Sequence, residues 1–564
     1  MTIATSPITE TLETDVVVIG SGGAGMTAAC VAALHGMDVL LTEKTEYFGG
    51  TTAWSGGGIW VPGNSLAKAQ GIADDKALAR QYICDSIGDS VRTDLVDAFL
   101  EQAPAMVDFL RANTAVDFTL QEGFADWHPE VAGFTPSGRL LSPQEFNGLV
   151  LGEHFARLRP PLQEFNAPGG FMVGLGDMPH IANARKSLKS FWYLLKLLLR
   201  FGVDKLRYGR STRLTMGNAL AARLCKSCVD AGVNLWNNAP MRQLLIEGGV
   251  VRGVIIDHGG ELLTVRARRG VIMATGGFSA NEEMRRDYIP FADQHVSLVP
   301  EGNTGDGIQA GLDQGGRFDG DNISNAGWVV VSLLPQPDGS LRKFPHLFLD
   351  RGKPGCIAVN QQGQRFGNES ATNLVEPMHR TGSVPAYLLC DHNFIKKYGL
   401  GLVRPGGIGL NNMLEQGYLA HAETLDDLAR QLGIDPDALV CTIGQFNTMA
   451  ARGEDTDFGR GSFPADVSMG DVSHTPNPCL GPILTPPFYA VTIFPGDSTT
   501  TVGLRVDAKA RVLDANDNPI PGLQAIGLDM NSLWRGKAPG NGANNTLSLT
   551  FGYVAARALA DSET

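Results

Sequence analysis

The chain has 564 residues and a formal net charge of −13, and 43% of its residues are hydrophobic while 19% are charged. At about 150 residues per domain, this length predicts two to four domains with enough chain for a large core. The composition excludes a disordered or fibrous protein, and the acidic balance argues against a nucleic-acid binder. The 69 glycines exceed the typical share of about 7%, which indicates many close backbone approaches.

The N-terminus and the cysteines exclude further classes. Residues 1–14 lack the basic start and apolar centre of a secretory signal, and no stretch approaches the roughly 18 uncharged apolar residues of a membrane span. We therefore expect a cytoplasmic protein. Only Cys225 and Cys228 form a C-x-x-C pair, and no histidine pair stands at ligand spacing. We expect this pair to be buried on a helix and predict neither a metal site nor a disulfide.

The first chemical signal begins at the apolar run 16–19, which predicts a buried parallel strand. The run leads into a G-x-G-x-x-G turn at 20–25, a helical pattern to Leu34, a second strand over 37–42 and then Glu43. Such glycines permit a tight turn, close approach of the backbone to a pyrophosphate and close helix–strand packing. Glu43 is placed to accept hydrogen bonds from a ribose 2′-hydroxyl, so this order of elements predicts a dinucleotide site.

Three further glycine-rich turns follow along the chain. Residues 49–58 combine two glycine clusters with hydroxyl side chains, and therefore offer several donors along one path. Strand-to-glycine turns recur at 270–277 and at 522–527, just before Asp529. This arrangement suits an extended cofactor whose diphosphate and ribityl chain cross the domain.

Several motifs, in this order, resemble the fumarate reductase/3-ketosteroid dehydrogenase superfamily of FAD flavoproteins. They are GSGGAG at 20–25, GGTTAWSGGG at 49–58, ATGGF at 274–278, RFGNES at 365–370, PPFYAV at 486–491 and PGNGANNTLSLTFGYVAARAL at 539–559. The resemblance implies an α/β protein in which a Rossmann-like FAD-binding domain carries an inserted α+β substrate domain. We expect residues 1–290 and 480–564 to form the FAD-binding domain and residues 291–479 to form the substrate domain.

The resemblance also implies how FAD is held. Asp529 would face the ribityl hydroxyls, and residues 544–547 would start a helix whose N-terminus meets O2 of the flavin ring, where its dipole stabilises negative charge. Covalent relatives use a histidine near the first glycine run, and residues 49–58 contain none, so we expect non-covalent FAD. The candidate FAD contacts are Gly20, Ser21, Gly22, Gly23, Ala24, Gly25, Glu43, Lys44, Gly50, Thr51, Thr52, Ser55, Gly56, Gly57, Gly58, Met241, Ala274, Thr275, Gly276, Asp529, Asn545, Thr546 and Leu547.

The segments NPCLGPILTPPFYAV and SGGGIWVPGN resemble the 3-ketosteroid dehydrogenase branch in particular. Such enzymes polarise a ring ketone, remove its α-proton with a base and transfer the neighbouring hydride to flavin N5. Relatives that introduce a Δ1 double bond are expected to use three tyrosines. The matching positions here hold Trp127, Asn373 and Ala538, none of which can supply a tyrosine's proton transfer.

Three replacement candidates can be named. His128 could act as an imidazole base, although a histidine before proline is also typical of a surface loop. Asn373 could donate to a carbonyl or could instead cap a helix. Tyr489 is a further candidate, although its apolar, strand-like surroundings are also typical of a core residue.

Arginines support an alternative function. Enzymes of the fumarate reductase type clamp carboxylates with arginine and use an arginine as proton donor, and Arg404 and Arg535 are the candidates. If Arg535 and Lys537 line the pocket, they favour a substrate that carries a carboxylate. Each arginine could instead form a surface ion pair.

We predict an FAD-dependent oxidoreductase that desaturates a CH–CH bond next to the carbonyl of a cyclic ketone, which is either steroid-like or a keto acid. An enoate reductase and a non-catalytic flavin protein are the alternatives. The predicted partners are a small ketone and an external electron acceptor, with no nucleic acid.

A basic segment at 185–213 stands apart. It contains nine basic residues and one acid, Asp204, around an apolar run with helical spacing. Its local charge of +8 leaves −21 for the rest of the chain. This pattern is typical of an interfacial amphipathic helix, and also of a lid or an oligomer contact, so peripheral membrane association is one of its interpretations.

Overall fold

The computed structural model describes residues 11–165, 170–184, 186–347 and 350–562. Two large sheets, three small ones and seventeen α-helices are found in these ranges. The strands are β1 (Thr11–Ile19), β2 (Val39–Thr42), β3 (Ile59–Trp60), β4 (Phe118–Leu120), β5 (Leu140–Pro143), β6 (Phe146–Asn147), β7 (Arg213–Leu214), β8 (Asn234–Trp236), β9 (Met241–Glu247), β10 (Val250–His258), β11 (Glu261–Met273), β12 (Val296–Ser297), β13 (Phe318–Asp319), β14 (Ala326–Pro335), β15 (Leu341–Pro345), β16 (Cys356–Val359), β17 (Ala386–Cys390), β18 (Leu419–Ala422), β19 (Phe488–Thr500), β20 (Gly503–Leu504), β21 (Arg511–Leu513) and β22 (Pro519–Ala525).

The helices differ widely in length, from four residues to twenty-one. They are α1 (Gly23–Leu34), α2 (Ser65–Ala69), α3 (Lys76–Ile87), α4 (Thr93–Asn113), α5 (His154–Arg157), α6 (Met178–Ala182), α7 (Leu188–Tyr208), α8 (Met216–Asp230), α9 (Glu282–Tyr288), α10 (Asp306–Asp313), α11 (Val375–Thr381), α12 (His392–Lys397), α13 (Leu410–Glu415), α14 (Leu425–Leu432), α15 (Pro436–Arg452), α16 (Pro464–Met469) and α17 (Ala543–Ala560).

The first sheet is built around β1, whose apolar run is completely buried at Val16, Val17 and Val18. Its strand order is β21-β22-β11-β1-β2-β8, and the pairs from β22 to β8 are all parallel. The register pairs Ile19 with both Thr42 and Met273, so β1, β2 and β11 end at the same edge of the sheet. This confirms the predicted Rossmann-like arrangement, in which the turns after these strands share one edge.

Both ends of the chain contribute to this sheet. Near the C-terminus, β22 pairs with β11, and α17 packs against α1. The helix expected at 544–547 begins at Ala543. The C-X-X-C pair lies on α8, where Cys225 and Cys228 are fully buried as expected, and burial raises the pKa of both thiols.

The second sheet has the order β15-β14-β19-β17-β16, with β12 and β18 also paired to β19. Most of its neighbouring pairs are antiparallel, as an α+β insertion requires. Residues 480–564 were expected to belong to the FAD-binding domain, yet β19, at Phe488–Thr500, is the central strand of this second sheet. We therefore propose a domain boundary near residue 500 in place of one near 479.

Helix α7 occupies most of the basic segment, and Arg185 lies outside the described residues. Only Ser190 and Asp204 of this helix are buried. Within the part of the chain that the structure describes, every helix is too short or too polar to cross a bilayer.

Candidate functional site: a dinucleotide cleft beside a histidine loop

In the turn after β1, the three glycines at the motif positions, Gly20, Gly22 and Gly25, have two different roles. A Cβ at Gly20 would overlap the backbone of Ala274, and a Cβ at Gly25 would overlap the carbonyl oxygen of Gly20. These two glycines therefore allow the turns and α1 to pack together. A Cβ at Gly22 would meet nothing within 4 Å, so this glycine borders open space at the N-terminus of α1. No side chain caps that terminus, and its positive end suits a pyrophosphate.

Glu43 lies at the same edge, 8% exposed, with its carboxylate surrounded by protein donors. Oε2 accepts from the Ser21 amide at 3.2 Å and its hydroxyl at 2.6 Å, and Oε1 accepts from the Thr45 amide and hydroxyl, both at 2.9 Å. A carboxylate has about four lone-pair positions. A ribose hydroxyl would therefore share or displace one of these donors, so Ser21 and Glu43 act as one unit.

The second glycine-rich segment folds back over this edge. The Thr52 hydroxyl accepts from the Gly23 amide at 3.0 Å, which ties residues 49–58 to the start of α1. The Asn545 amide of α17 donates to the Ser55 hydroxyl at 3.2 Å and to the Gly58 carbonyl at 3.1 Å. A Cβ at Gly56 would meet nothing within 4 Å, so open space continues along this segment.

Asp529 is fully buried beneath the turn after β11. Its carboxylate accepts from the Thr275 amide at 2.6 Å and hydroxyl at 2.9 Å, and from the Gly277 amide at 3.0 Å. Burial raises the pKa of Asp529, although these donors oppose that effect. The carboxylate therefore fixes the 275–277 turn, and this role is additional to any contact that it makes with a cofactor.

A second uncapped helix N-terminus faces the same region. Helix α17 starts after Gly542, which has a φ of +88° and no side-chain cap. A Cβ there would overlap the backbone of Gly58, so only glycine lets the two segments approach. The Thr546 hydroxyl accepts from the Trp60 amide at 2.5 Å. Two positive helix ends, with open space at Gly22 and at Gly56, fit an extended dinucleotide such as FAD.

Several other predicted cofactor residues make contacts within the protein itself. Lys44 donates to Asp306 at 2.7 Å and to Thr304 at 2.5 Å, so its ammonium group is already paired with a carboxylate of α10. The Thr51 hydroxyl accepts from Asn303 at 3.1 Å. Met241 opens β9, and Leu547 is buried in the core.

Of the predicted catalytic residues, His128 lies beside one of the matched tyrosine positions. Its Nε2 lies 3.1 Å from the Ala538 carbonyl oxygen, which can only accept, so Nε2 carries the proton and Nδ1 keeps a lone pair. The nearest described acid, Glu130, is 3.9 Å from Nδ1 and largely exposed. Burial lowers the pKa of His128, which keeps the ring neutral.

A buried phenol holds the two loops together. Tyr82 of α3 donates to the Pro539 carbonyl at 2.8 Å and accepts from the His128 amide at 3.1 Å. The Trp127 amide also donates to the Pro539 carbonyl, at 3.0 Å. Two of the three matched tyrosine positions, Trp127 and Ala538, are therefore neighbours in one hydrogen-bonded unit.

Deeper in the protein, Asp126 supports this unit. It accepts from the Trp60 indole and from Arg139, both at 2.7 Å. Desolvation by burial raises the pKa of Asp126 to about 6, against the effect of Arg139. Trp60 lies within the quoted segment SGGGIWVPGN, but no sequence pattern assigned a role to its side chain or to Tyr82, because their polar partners are distant along the chain.

The remaining four candidates lie elsewhere. Asn373 accepts from the Glu376 amide at 3.1 Å and so caps the start of α11, and Tyr489 is buried in β19 with its hydroxyl 3.3 Å from His392. Arg404 donates to the Glu164 carbonyl at 3.0 Å. Arg535, at a φ of +51°, donates to the Asp321 carbonyl at 2.7 Å, and its buried Nε has no hydrogen-bond partner among the residues that the structure describes.

Comparisons with known proteins agree with this cleft. The family described as FAD binding domain matches residues 15–544. A 4-oxocyclohex-2-ene-1-carboxylate 5-dehydrogenase of Sinomonas cyclohexanicum is 37% identical over 98% of this chain and 94% of its own. A 3-oxosteroid 1-dehydrogenase of Mycobacterium tuberculosis is 34% identical over 97% of this chain and 98% of its own.

A solved structure supports the same assignment. The 3-ketosteroid Δ1-dehydrogenase of Sterolibacterium denitrificans, in complex with 1,4-androstadiene-3,17-dione, superposes with a TM-score of 0.90 at 35% identity, covering 98% of this chain and all of that one. The predicted resemblance is confirmed: this chain belongs to the FAD-binding flavoprotein family that includes the 3-ketosteroid dehydrogenases, and FAD is its cofactor.

Proposed function

We propose that this protein desaturates a ring ketone at the CH–CH bond next to the carbonyl. The observation that carries this proposal is the position of His128, whose base nitrogen is left unprotonated beside the Ala538–Gly542 turn that leads into α17. Named relatives act on a 3-oxosteroid and on an oxocyclohexene carboxylate, which share a ring ketone.

The chain's own groups divide the work as follows. Nδ1 of His128 takes the α-proton, and the carbonyl of Ala538 holds the ring in the required tautomer. When bound, FAD supplies the acceptor for the hydride of the neighbouring carbon. The N-terminus of α17 stabilises the negative charge that this transfer creates. One proton and one hydride leave the ketone, which becomes an enone, and an external electron acceptor removes the electrons.

The residues that would hold FAD are those bordering open space or a helix N-terminus. Gly22 and the start of α1 would hold the pyrophosphate, Ser21 with Glu43 the adenosine ribose, and Ser55, Gly56 and the start of α17 the flavin end. We propose that FAD is not covalently attached. Acid precipitation tests this, since all the flavin should stay in the supernatant.

An anaerobic bleaching assay tests the reaction. The yellow holoenzyme is mixed with a saturated 3-oxosteroid or with 4-oxocyclohex-2-ene-1-carboxylate, and loss of flavin colour with formation of the further unsaturated product supports the proposal. Recolouring of photoreduced enzyme by an unsaturated acid, without bleaching by either ketone, would instead identify an enoate reductase. No response to either set would contradict both.

We also propose that the segment 185–213 is a contact surface for a partner outside this chain, either a membrane or a second copy. The apolar side chains of α7 that are exposed in the structure support this proposal.

A further inference from the structure

Helix α7 presents many of its large apolar side chains outward. At about 100° per residue, six of its large apolar residues project within about 80° of one direction. All are exposed, up to 80% at Leu188 and 89% at Leu206. The six are Leu188, Phe191, Trp192, Leu198, Leu199 and Leu206. A surface helix of a globular protein normally turns such a stripe toward the core, so this orientation requires an explanation.

Polar contacts hold α7 in this orientation. On the opposite side of the helix, Asp204 accepts from the Thr212 amide at 2.9 Å and hydroxyl at 2.7 Å. Tyr193 donates to the buried Asp177 at 2.6 Å. These bonds fix the inner face through hydrogen bonding, which leaves the apolar stripe on the outside.

The preceding helix also exposes apolar side chains. Helix α6 packs against α7, and its Met178 and Ile181 are 46% and 41% exposed. Exposed apolar side chains are therefore concentrated on two packed helices, in contrast to the single scattered apolar residues normal on a protein surface.

Basic residues border the apolar stripe along one side. Lys189, Lys196, Arg200 and Arg207 all project about 80° to 120° from the direction of Leu188 and Leu206, at the boundary between the apolar stripe and the protein. A second copy of the chain would bring the same basic residues to the contact, where like charges repel. An anionic lipid surface offers the complementary charge together with an apolar interior.

We infer that α7, with α6 beside it, docks on the surface of an anionic lipid bilayer. The helix lies parallel to the bilayer, its apolar stripe enters the boundary between headgroups and acyl chains, and its basic flank contacts the phosphates. This inference rests on the proposed contact role of the segment 185–213 and is independent of the proposed reaction.

Flotation of the full-length holoenzyme with vesicles tests the inference. Wild type should float with vesicles of phosphatidylcholine and phosphatidylglycerol, and weakly with phosphatidylcholine alone. The K189E/K196E/R207E variant should bind the anionic vesicles on the order of a hundredfold more weakly, at about 1 kcal/mol per removed basic contact. The W192S/L199S/L206S variant should lose binding to both. The matched control K68E/K396E/K509E makes the same charge change at exposed lysines elsewhere and should float like wild type.

Two outcomes would overturn the inference. One is a wild-type protein that does not float with the anionic vesicles, including one that instead dimerises through α7 in sedimentation experiments. The other is equal flotation of wild type and both α7 variants. Ketone-dependent bleaching is measured on the same samples. Flotation without bleaching would contradict the proposed reaction alone, and bleaching without flotation would contradict the docking alone.

Discussion

Replacing His128 with alanine is the sharpest test of the proposed chemistry. The substitution removes the proposed general base beside the Ala538 turn, and loss of a positioned general base lowers the rate by on the order of 10² to 10⁴-fold, or about 3 to 5 kcal/mol. The lost hydrogen bond to Ala538 should reduce the free energy of unfolding by only about 1 kcal/mol. The expected loss of rate is therefore clearly larger, in free energy, than the expected loss of folding stability, so the two can be told apart.

Anaerobic stopped-flow bleaching measures the reductive step alone, and His474→Ala is the matched control. His474 is also half-buried, with Nε2 2.8 Å from the Leu480 carbonyl oxygen, far from the cleft in sequence. Because burial lowers the pKa of His128 below its usual 6.5, wild-type kcat/KM should fall only as the pH drops below that value, where the base becomes protonated. A bleaching rate for H128A within about threefold of wild type would refute this role. The same conclusion would follow if H128A kept the fall in kcat/KM at low pH that wild type shows.

Three further substitutions test the surrounding architecture. Tyr82→Phe leaves the His128 amide without its acceptor, so we expect a loss of about 1 to 3 kcal/mol in urea unfolding and a fall in kcat larger than any change in KM; an unchanged kcat would show that the phenol positions nothing. Asp529→Asn turns an amide group toward the Thr275 and Gly277 donors, so flavin retained after gel filtration should decrease, and full retention would contradict the role of this turn. Gly22→Ala should fold with a normal Tm but lose FAD, because its Cβ enters open space, whereas Gly25→Ala should destabilise the fold, because its Cβ overlaps the Gly20 carbonyl; equal effects of the two would refute the division of roles.

The cofactor cleft could be predicted from sequence because its determinants are local. The apolar run of β1, the glycines after it and Glu43 lie within thirty residues, and each acts through its own backbone conformation or strand register. The start of α17 near residue 544 was expected from the resemblance, and the structure begins this helix at Ala543, directly after a glycine in the left-handed region. For the inserted domain we propose a boundary later than residue 479, because β19 continues the second sheet into the segment expected to return to the first.

The site's side chains depended on contacts that no local pattern encodes. Tyr82 and Pro539 are 457 residues apart, and the bond between them brings Trp127 and Ala538 together. Arg535, close in sequence to α17, instead donates to a carbonyl at Asp321. A substrate role for Arg535 stays a prediction based on its proximity in sequence to the expected flavin contact, and no sequence pattern indicated its φ of +51°. The chain neighbours of two replaced tyrosine positions, His128 and Pro539, both bond to the Tyr82 hydroxyl. The compensating base should therefore be found in that unit, and His128 is the one described side chain there with an unprotonated nitrogen.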